Sequence, residues 1–447
     1  MTNIESALWC AINQHPNKPL VIAYSGGVDS QVLLYALFSL IQKQQISSPV
    51  TVCHVNHGLS ENAVSWQNFA KRECSKLNLN LKICHVNIDL KSQQSIEALA
   101  RDARYQALQK IYTTPSLIIT GHHSEDQAET FLLALKRGSG LKGLSAMALE
   151  TVKSKDIILR PFLNISRKEI INYATRLELS WIEDESNSDT RFDRNFFRND
   201  IIPLLTQRWP SISKTINRAS EHCRESQLLL DELALTDLED CDHDIRSLLV
   251  KPLLSLSKSR FNNLIRFFLT RNQCLMPSTE QLIQLYQQLN SDNQKNPMVK
   301  VGDHYLRRYN GVIYLTSELK NVCDWQKSIT LTKQDNTVLL PDNLGKLMIS
   351  SSSVFDEKIE INKIAMPKSH QKISVRFSHN NPTCLPDYRH HSRSLKKILQ
   401  ELNIPTWQRK RIPFLYYDEV LVSAIGYFVC QPFVPKLQNC LKVNWLR

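Results

Sequence analysis

Leu20-Val21-Ile22-Ala23-Tyr24-Ser25-Gly26-Gly27-Val28-Asp29-Ser30-Gln31 is the stretch on which the fold turns. Its apolar start reads as a buried strand. From Gln31 to Lys43, residues Val32, Leu33, Ala36, Leu37, Leu40 and Ile41 recur at helical spacing. Between strand and helix stand a serine and two glycines. Glycine lets backbone approach a phosphate without a Cβ clash, and the helix start supplies free N–H groups and a favourable dipole. Ser25, Gly26, Gly27, Val28, Asp29 and Ser30 therefore read as a nucleotide-phosphate loop, with the Ser25 and Ser30 hydroxyls as donors. Bare phosphate repels Asp29, so this residue reads as the ligand of a Mg²⁺ between them.

Outward from that loop, strand and helix alternate. Strands are expected over 50–56, 81–88 and 116–120, with a fifth ending at 157–161. Helices are expected over 61–77 and 96–112. Ser124-Glu125-Asp126-Gln127 reads as a capping box opening a helix to Leu135, and Ser166-Arg167-Lys168-Glu169 as another opening a helix to Leu179. This pattern specifies an α/β domain, a parallel sheet with helices on both faces, and ligands at the carboxyl ends of the strands. After Pro203 the pattern turns helical over 220–240, 258–270 and 279–289, with no strands between, and then to short strands from about 299. The division expected is 1–215 catalytic, 216–330 a small helical domain and 331–447 a small mixed α/β domain.

The 447 residues carry a net charge of +12, 22% charged and 42% hydrophobic residues, which is a globular composition with an anionic partner, most simply nucleic acid. No run approaches 18 apolar residues, which argues against a membrane span. Residues 1–20 lack a basic region followed by an apolar one, so a cytoplasmic protein is expected. The 11 cysteines form no C-x-x-C pair, which disfavours a disulfide scaffold or a structural metal. Of 11 glycines, seven fall in the first 143 residues, where backbone must lie close to a ligand.

Other nucleotide loops fail. The phosphate-loop pattern ending in Gly-Lys-Ser/Thr is missing. Gly138-Ser139-Gly140-Leu141-Lys142-Gly143 matches G-x-G-x-x-G but follows a helix, outside the strand-to-helix context of a dinucleotide fingerprint. It reads as a flexible loop whose neighbours Arg137 and Lys142 meet substrate phosphate.

The fourth strand runs into Gly121-His122-His123-Ser124-Glu125-Asp126-Gln127-Ala128-Glu129-Thr130. Two histidines, acids and an amide at one strand end exceed what capping needs. Together with the first loop, Val55 to Leu59, Ala100 to Tyr105 and Arg137 to Leu144, this motif resembles the tRNA(Ile)-lysidine synthases, within the N-type ATP pyrophosphatases. Arg160-Pro161-Phe162, Asp184 to Asp189, Arg194 to Arg198, and the C-terminal stretch from Leu395 to Pro413 extend the resemblance in order over nearly the whole chain. Two departures stand out: Glu125-Asp126 replaces paired aspartates, and Ser60 stands where arginine is common.

The resemblance implies ATP and Mg²⁺ as cofactors, with tRNA(Ile) of CAU anticodon and free lysine as partners, no membrane partner, and a homodimer as one allowed assembly. The reaction would adenylate the C2 oxygen of the wobble cytidine, after which a lysine amine attacks C2. It gives His122, Arg194 and Arg198 to the developing phosphate charge, and Asp126 to orienting and deprotonating the amine. His57, Arg101, Arg104, Arg137 and Gly138 fall to substrate binding. The segment 388–411 holds seven basic residues against one acid, with Tyr388 and Trp407 interleaved, so Lys396, Lys397 and Arg409 are assigned to tRNA phosphate. A tRNA thiolase on the same fold would need a site cysteine pair. A non-catalytic tRNA binder would not keep both motifs, and a glutamine-fed synthetase would need a glutaminase domain.

Overall fold

The computed structural model describes residues 1–58, 60, 62–87, 96–291, 297–331, 336–350, 362–435 and 440–447. Leu59, Glu61 and Ile88, placed by the sequence pattern in the His57 motif, a helix start and a strand end, lie outside these. Among the described residues no helix is long and apolar enough to cross a membrane. The chain divides into two compact units, Met1–Asp231 and Glu232–Arg447.

The first unit begins with α1 (Asn3–Asn13), β1 (Leu20–Ala23), α2 (Val28–Gln42), β2 (Val50–Asn56), α3 (Ala63–Lys76), β3 (Asn80–His85), α4 (Ile96–Gln109), β4 (Leu117–Ile119) and α5 (Ser124–Lys136). It continues through the short α6 (Leu141–Leu144), β5 (Glu150–Lys153), β6 (Asp156–Leu159), α7 (Arg167–Arg176), α8 (Asp193–Phe196), α9 (Ile202–Arg208) and α10 (Ile212–Cys241), which runs on past this unit. The six strands lie in the order β3-β2-β1-β4-β6-β5. All neighbours are parallel except β5, an antiparallel edge strand that the sequence pattern did not reveal. Its alternating Glu150, Thr151, Val152 and Lys153 carry too little apolar content to read as a strand.

Strand side chains alternate between two cores. Leu20 and Ile22 pack with Leu8, Leu33, Leu37, Phe162 and Ile170 on one face, while Val21 and Ile118 pack with Tyr105 and Leu108 on the other. Both faces are thus covered, as an all-parallel central sheet requires. α2 is buried nearly all round, from Val28 to Leu40, which fixes the helix that follows the phosphate loop. The Ser166–Glu169 capping box is present as read.

The second unit corrects one detail. Between α10 and the helices α11 (Val250–Ser255), α12 (Lys258–Arg271) and α13 (Thr279–Asn290) lie two short strands, β7 (Asp242–Asp244) and β8 (Ser247–Leu249). Together with β9 (Met298–Val301), β10 (His304–Tyr309) and β11 (Val312–Ser317) they form one sheet in the order β7-β8-β11-β10-β9. Three-residue strands are too short to show a period of two. The helices share a core with this sheet, from Ala234 to Leu315. The remainder forms a five-stranded and a four-stranded sheet with their own apolar clusters, plus the helix Leu395–Glu401.

Candidate functional site

The phosphate loop spans the end of β1 and the start of α2. Gly26 has φ +93°, and a Cβ there would stand 2.8 Å from Ile182 Cδ1. The Ile182 N–H donates to the Gly26 carbonyl at 2.9 Å, so the chain after α7 presses on the loop. The Ser30 hydroxyl braces the turn: it accepts from the Gly26 N–H at 3.0 Å and the Ser25 N–H at 3.3 Å, and donates to the Gly27 carbonyl at 2.9 Å. In this conformation its contacts lie within the loop. Ser25 is exposed. The first intrahelical bond runs from the Gln31 N–H to the Gly27 carbonyl. The N–H groups of Val28, Asp29 and Ser30 therefore lie outside the helical ladder, as an anion site requires.

The second motif leaves the adjacent strand β4 and locks onto this loop. A Cβ on Gly121 would lie 2.8 Å from the Asp29 carbonyl oxygen, a backbone atom that has no rotamer to yield. The helix cap sits one residue earlier than expected. His123, not Ser124, is the N-cap of α5, and the Asp126 carboxylate accepts from the His123 backbone N–H at 3.0 Å. Asp126 is thus part of the helix start rather than surplus to it. The reason is local: His123 takes the extended backbone that the N-cap needs (φ −123°, ψ −176°), which places an acid, not Gln127, at the third helical position.

His123 is buried and its ring lies between carboxylates. Its Nε2 is 3.7 Å from Asp29 Oδ1 and 3.4 Å from Asp126 Oδ2, and its Nδ1 is 3.1 Å from Glu125 Oε2. Burial pushes its pKa down, but Asp126, Glu125 and Asp29 outweigh that and hold it above the ordinary value. His122 goes the other way. Burial, with Arg160, Arg194 and Arg101 nearby, lowers it to about 3 against the pull of Asp126. Burial thus favours the neutral imidazole at His122 in the absence of nucleotide. The acids around His123 favour its charged form, while its Nδ1 also accepts from the Glu125 N–H at 3.2 Å as the helix cap, so the two adjacent imidazoles are pushed in opposite directions.

Arg194 and Arg198 are not a solvated helix face. Arg194 donates to Glu129 at 2.8 Å and to Asp126 Oδ1 at 3.1 Å. Arg198 donates to Glu129 at 2.6 and 2.9 Å and to Asp126 Oδ1 at 2.9 Å. Glu129, to which the sequence pattern assigned no role, is the second carboxylate of this network and is 1% exposed. A turn of π-helix over Phe197–Ile201 carries Arg198. Burial alone would raise the Asp126 pKa, but His123 and the two arginines hold it far below the ordinary carboxylate range. An acid so stabilised as an anion is a strong orienting charge and is held in its unprotonated form.

Asp29 differs. Burial, reinforced by Asp126, raises its pKa in spite of His123, Arg167 and Arg198, and its Oδ1 is buried without a hydrogen-bond partner among the described residues. A hard cation held by one carboxylate, with phosphate oxygens and water completing its shell, suits that atom.

The remaining candidates divide by place. Arg160, Arg194 and Arg101 act on His122, and Arg104 and Asp184 on His57, whose Nδ1 is likewise buried and unpartnered among the described residues. Arg137 and Gly138 follow the last residue of α5, some 11 residues beyond Asp126, which is roughly 16 Å along a helix. Their segment is folded, not a flexible loop. The N–H groups of Gly138 and Ser139 close α5 onto the carbonyls of Leu135 and Ala134, and those of Gly143, Leu144 and Ser145 close the next turn. Lys396, Lys397 and Arg409 belong to the second unit. Lys396 and Lys397 are exposed. Arg409, half-buried, donates to the Ile404 carbonyl at 2.8 Å and to the Tyr309 hydroxyl at 3.0 Å, so two of its nitrogens are engaged within the unit.

Comparison with known proteins matches residues 1–205 to a PP-loop domain, 248–314 to a TilS substrate binding domain and 373–445 to a TilS substrate C-terminal domain. A tRNA(Ile)-lysidine synthase of Vibrio vulnificus (strain YJ016) is 40% identical over 426 residues, covering 95% of this chain and 94% of the relative. Relatives of the same name from Serratia proteamaculans (strain 568) and Histophilus somni (strain 129Pt) are each 38% identical. They cover 100% and 93% of this chain, and 99% and 97% of the relatives.

Proposed function

The chain belongs to the tRNA(Ile)-lysidine synthase family, and from that premise we propose that its first unit adenylates the C2 oxygen of the wobble cytidine in tRNA(Ile) with the CAU anticodon, then joins free lysine to C2. The observation that carries this reading is the interlock of the two motifs. Gly121 packs on the Asp29 backbone, and the His123 ring stands between Asp29 and Asp126, so an anion site and a charged carboxylate share one centre.

In the first step the cytosine oxygen attacks the α-phosphorus of ATP and pyrophosphate leaves. The N–H groups of Val28, Asp29 and Ser30, with the Ser25 hydroxyl, hold pyrophosphate in line. Mg²⁺ on Asp29 would supply positive charge to the phosphate oxygens. His123, with its Nε2 3.7 Å from Asp29 Oδ1 and 3.4 Å from Asp126 Oδ2, spaces the two acids of the centre. In the second step a lysine amine attacks C2, and the C2–oxygen bond breaks with its electron pair going to AMP. Asp126 orients the amine by charge and receives the proton that the amine gives up on forming the C–N bond. Arg194 and Arg198, already paired to Asp126 and Glu129, hold those carboxylates in place rather than meeting phosphate directly. Around this centre we place a catalytic domain over 1–215, a tRNA-recognition domain over 216–330 and a tRNA-binding domain over 331–447.

The test is mass spectrometry of tRNA(Ile) transcript incubated with the enzyme, ATP, Mg²⁺ and lysine, with the nucleotide products measured in parallel. AMP and a lysine adduct on the wobble cytidine, both dependent on all components, are expected. ADP with inorganic phosphate, or unmodified tRNA, overturns the reading.

A further inference from the structure

Gln127 directly follows Asp126 on α5, and its side chain points away from the reacting centre. Its amide donates to the Met147 carbonyl at 2.6 Å and accepts from the Met147 N–H at 2.8 Å, so it pairs with that residue as a strand would. The same Met147 carbonyl accepts from the Arg224 guanidinium of α10 at 2.7 Å, which also donates to the Ser145 carbonyl at 2.9 Å. Between those carbonyls Ala146 sits at φ +50°, a left-handed conformation that costs a non-glycine residue energy and persists only where its surroundings impose it. One residue on, Arg160 donates to the Ala148 carbonyl at 2.7 Å. Three side chains, from α5, from α10 and from the residue just after β6, thus fix a five-residue stretch that has no regular secondary structure of its own.

That stretch is the return path of the segment Arg137–Leu144, in which Arg137 and Lys142 are exposed. The segment leaves from the end of α5, and Gln127 and Arg224 tie its return to α5 and α10. We propose that Arg224, acting with Gln127, is a positioning residue that sets the Arg137–Leu144 turn for contact with the tRNA backbone. It touches neither the nucleotide loop nor Asp126, and it acts through the carbonyls of Ser145 and Met147. Glu221 pairs with its other nitrogen and orients the guanidinium fork. The proposal rests on the tRNA-modifying reading given above.

The test uses the full chain with tRNA(Ile) transcript, lysine and ATP. It compares wild type, Arg224→Ala, Arg224→Lys, Arg137→Ala and the Arg224→Ala/Arg137→Ala pair by AMP release and thermal melting. Arg224→Ala is expected to raise the KM for tRNA about tenfold while leaving kcat and the KM for ATP at wild-type values. Arg224→Lys, which keeps one donor nitrogen on a shorter stem but loses the second nitrogen that Glu221 orients, is expected to fall between. Arg137→Ala should weaken tRNA binding in the wild-type background and add nothing once Arg224 is gone. Additive effects, or a loss shared equally by all substrates and tracking the melting temperature, would make Arg224 a stabilising residue only. Should Arg224→Ala not fold, Arg224→Lys decides alone: a raised tRNA KM at wild-type kcat supports the proposal, and a wild-type KM overturns it. A wild-type enzyme that makes no AMP with tRNA fails the parent reading instead, and the two failures are thereby distinguished.

Discussion

Asp126 carries two burdens through its two oxygens. Oδ2 accepts the His123 N–H that starts α5, and Oδ1 accepts Arg194 and Arg198. Asp126→Asn keeps the shape but leaves two half-buried guanidinium groups with Glu129 as their remaining carboxylate partner among the described residues. The variant is expected to lose about 1–3 kcal/mol of stability and at least 10²-fold in single-turnover rate. Denaturant melts beside AMP-release kinetics check both, and a wild-type rate in the destabilised variant would remove Asp126 from the chemistry. Glu5 offers a cleaner pH test away from the site. Burial would raise its pKa, but the Ser39 hydroxyl, the Thr2 N–H and Lys43 bring it from 4.5 down to about 2. A depressed acid stabilises the fold above its unfolded pKa and loses that contribution as pH falls from 4.5 through about 2. Glu5→Gln is expected to cost roughly 2–3 kcal/mol at neutral pH and to flatten the stability profile across that window. An unchanged acid limb would refute this.

At the scale of elements, the catalytic arrangement depends on how closely two strand-to-helix turns approach each other. Gly121→Ala would drive a methyl group to 2.8 Å from the Asp29 carbonyl oxygen, and the phosphate loop must shift to admit it. Overpacking of this kind typically costs about 1–3 kcal/mol. The expected sign in kinetics is a KM for ATP raised about tenfold or more, with tRNA binding retained in a direct filter assay. Wild-type ATP affinity would mean that the loop is not fixed by this contact. The turns themselves were legible in the sequence, because buried strands and glycines leave strong periodic and compositional signals. Their interior wiring was not. Ser30 looks like any loop hydroxyl until its three bonds are seen. His122 and His123 are adjacent letters, and the opposite directions in which they are pushed depend on how deeply each ring is buried and on which acids and arginines the fold brings to it, including Asp29, Arg160 and Arg194 from far along the chain. The edge strand β5 and the short β7 and β8 escaped because runs of three or four mixed residues carry no decisive period.

For the whole molecule, the basic character that points to RNA has to be divided between charges that face outward and charges that hold the second unit together. In the segment 388–411, Arg389 and Arg393 pair with Glu401, and Arg411 with Asp342. Arg409 bonds Ile404 and Tyr309 while Trp407 packs edge-on to Tyr309 and Tyr314, at 6.1 and 5.7 Å between ring centres. These groups join the C-terminal part of the unit to the sheet of β9, β10 and β11, which is why a count of charges overstated the surface offered to phosphate. Lys396 and Lys397 stay exposed on the helix Leu395–Glu401, whose buried face is Leu395, Ile398 and Leu399. The two sets should therefore respond differently to substitution. Lys396→Ala with Lys397→Ala is expected to leave the melting temperature within about 1–2 °C and to reduce the slope of log affinity for tRNA against log salt by about 0.7–0.9 for each phosphate no longer neutralised. Arg409→Ala is expected to do the reverse, lowering stability by about 1–3 kcal/mol with the salt slope little changed. Filter binding of tRNA(Ile) transcript across a salt series, run beside thermal melts on the same preparations, separates the two. A salt slope that flattens for Arg409→Ala but not for the lysine pair would invert the assignment and place the RNA against the Trp407 cluster.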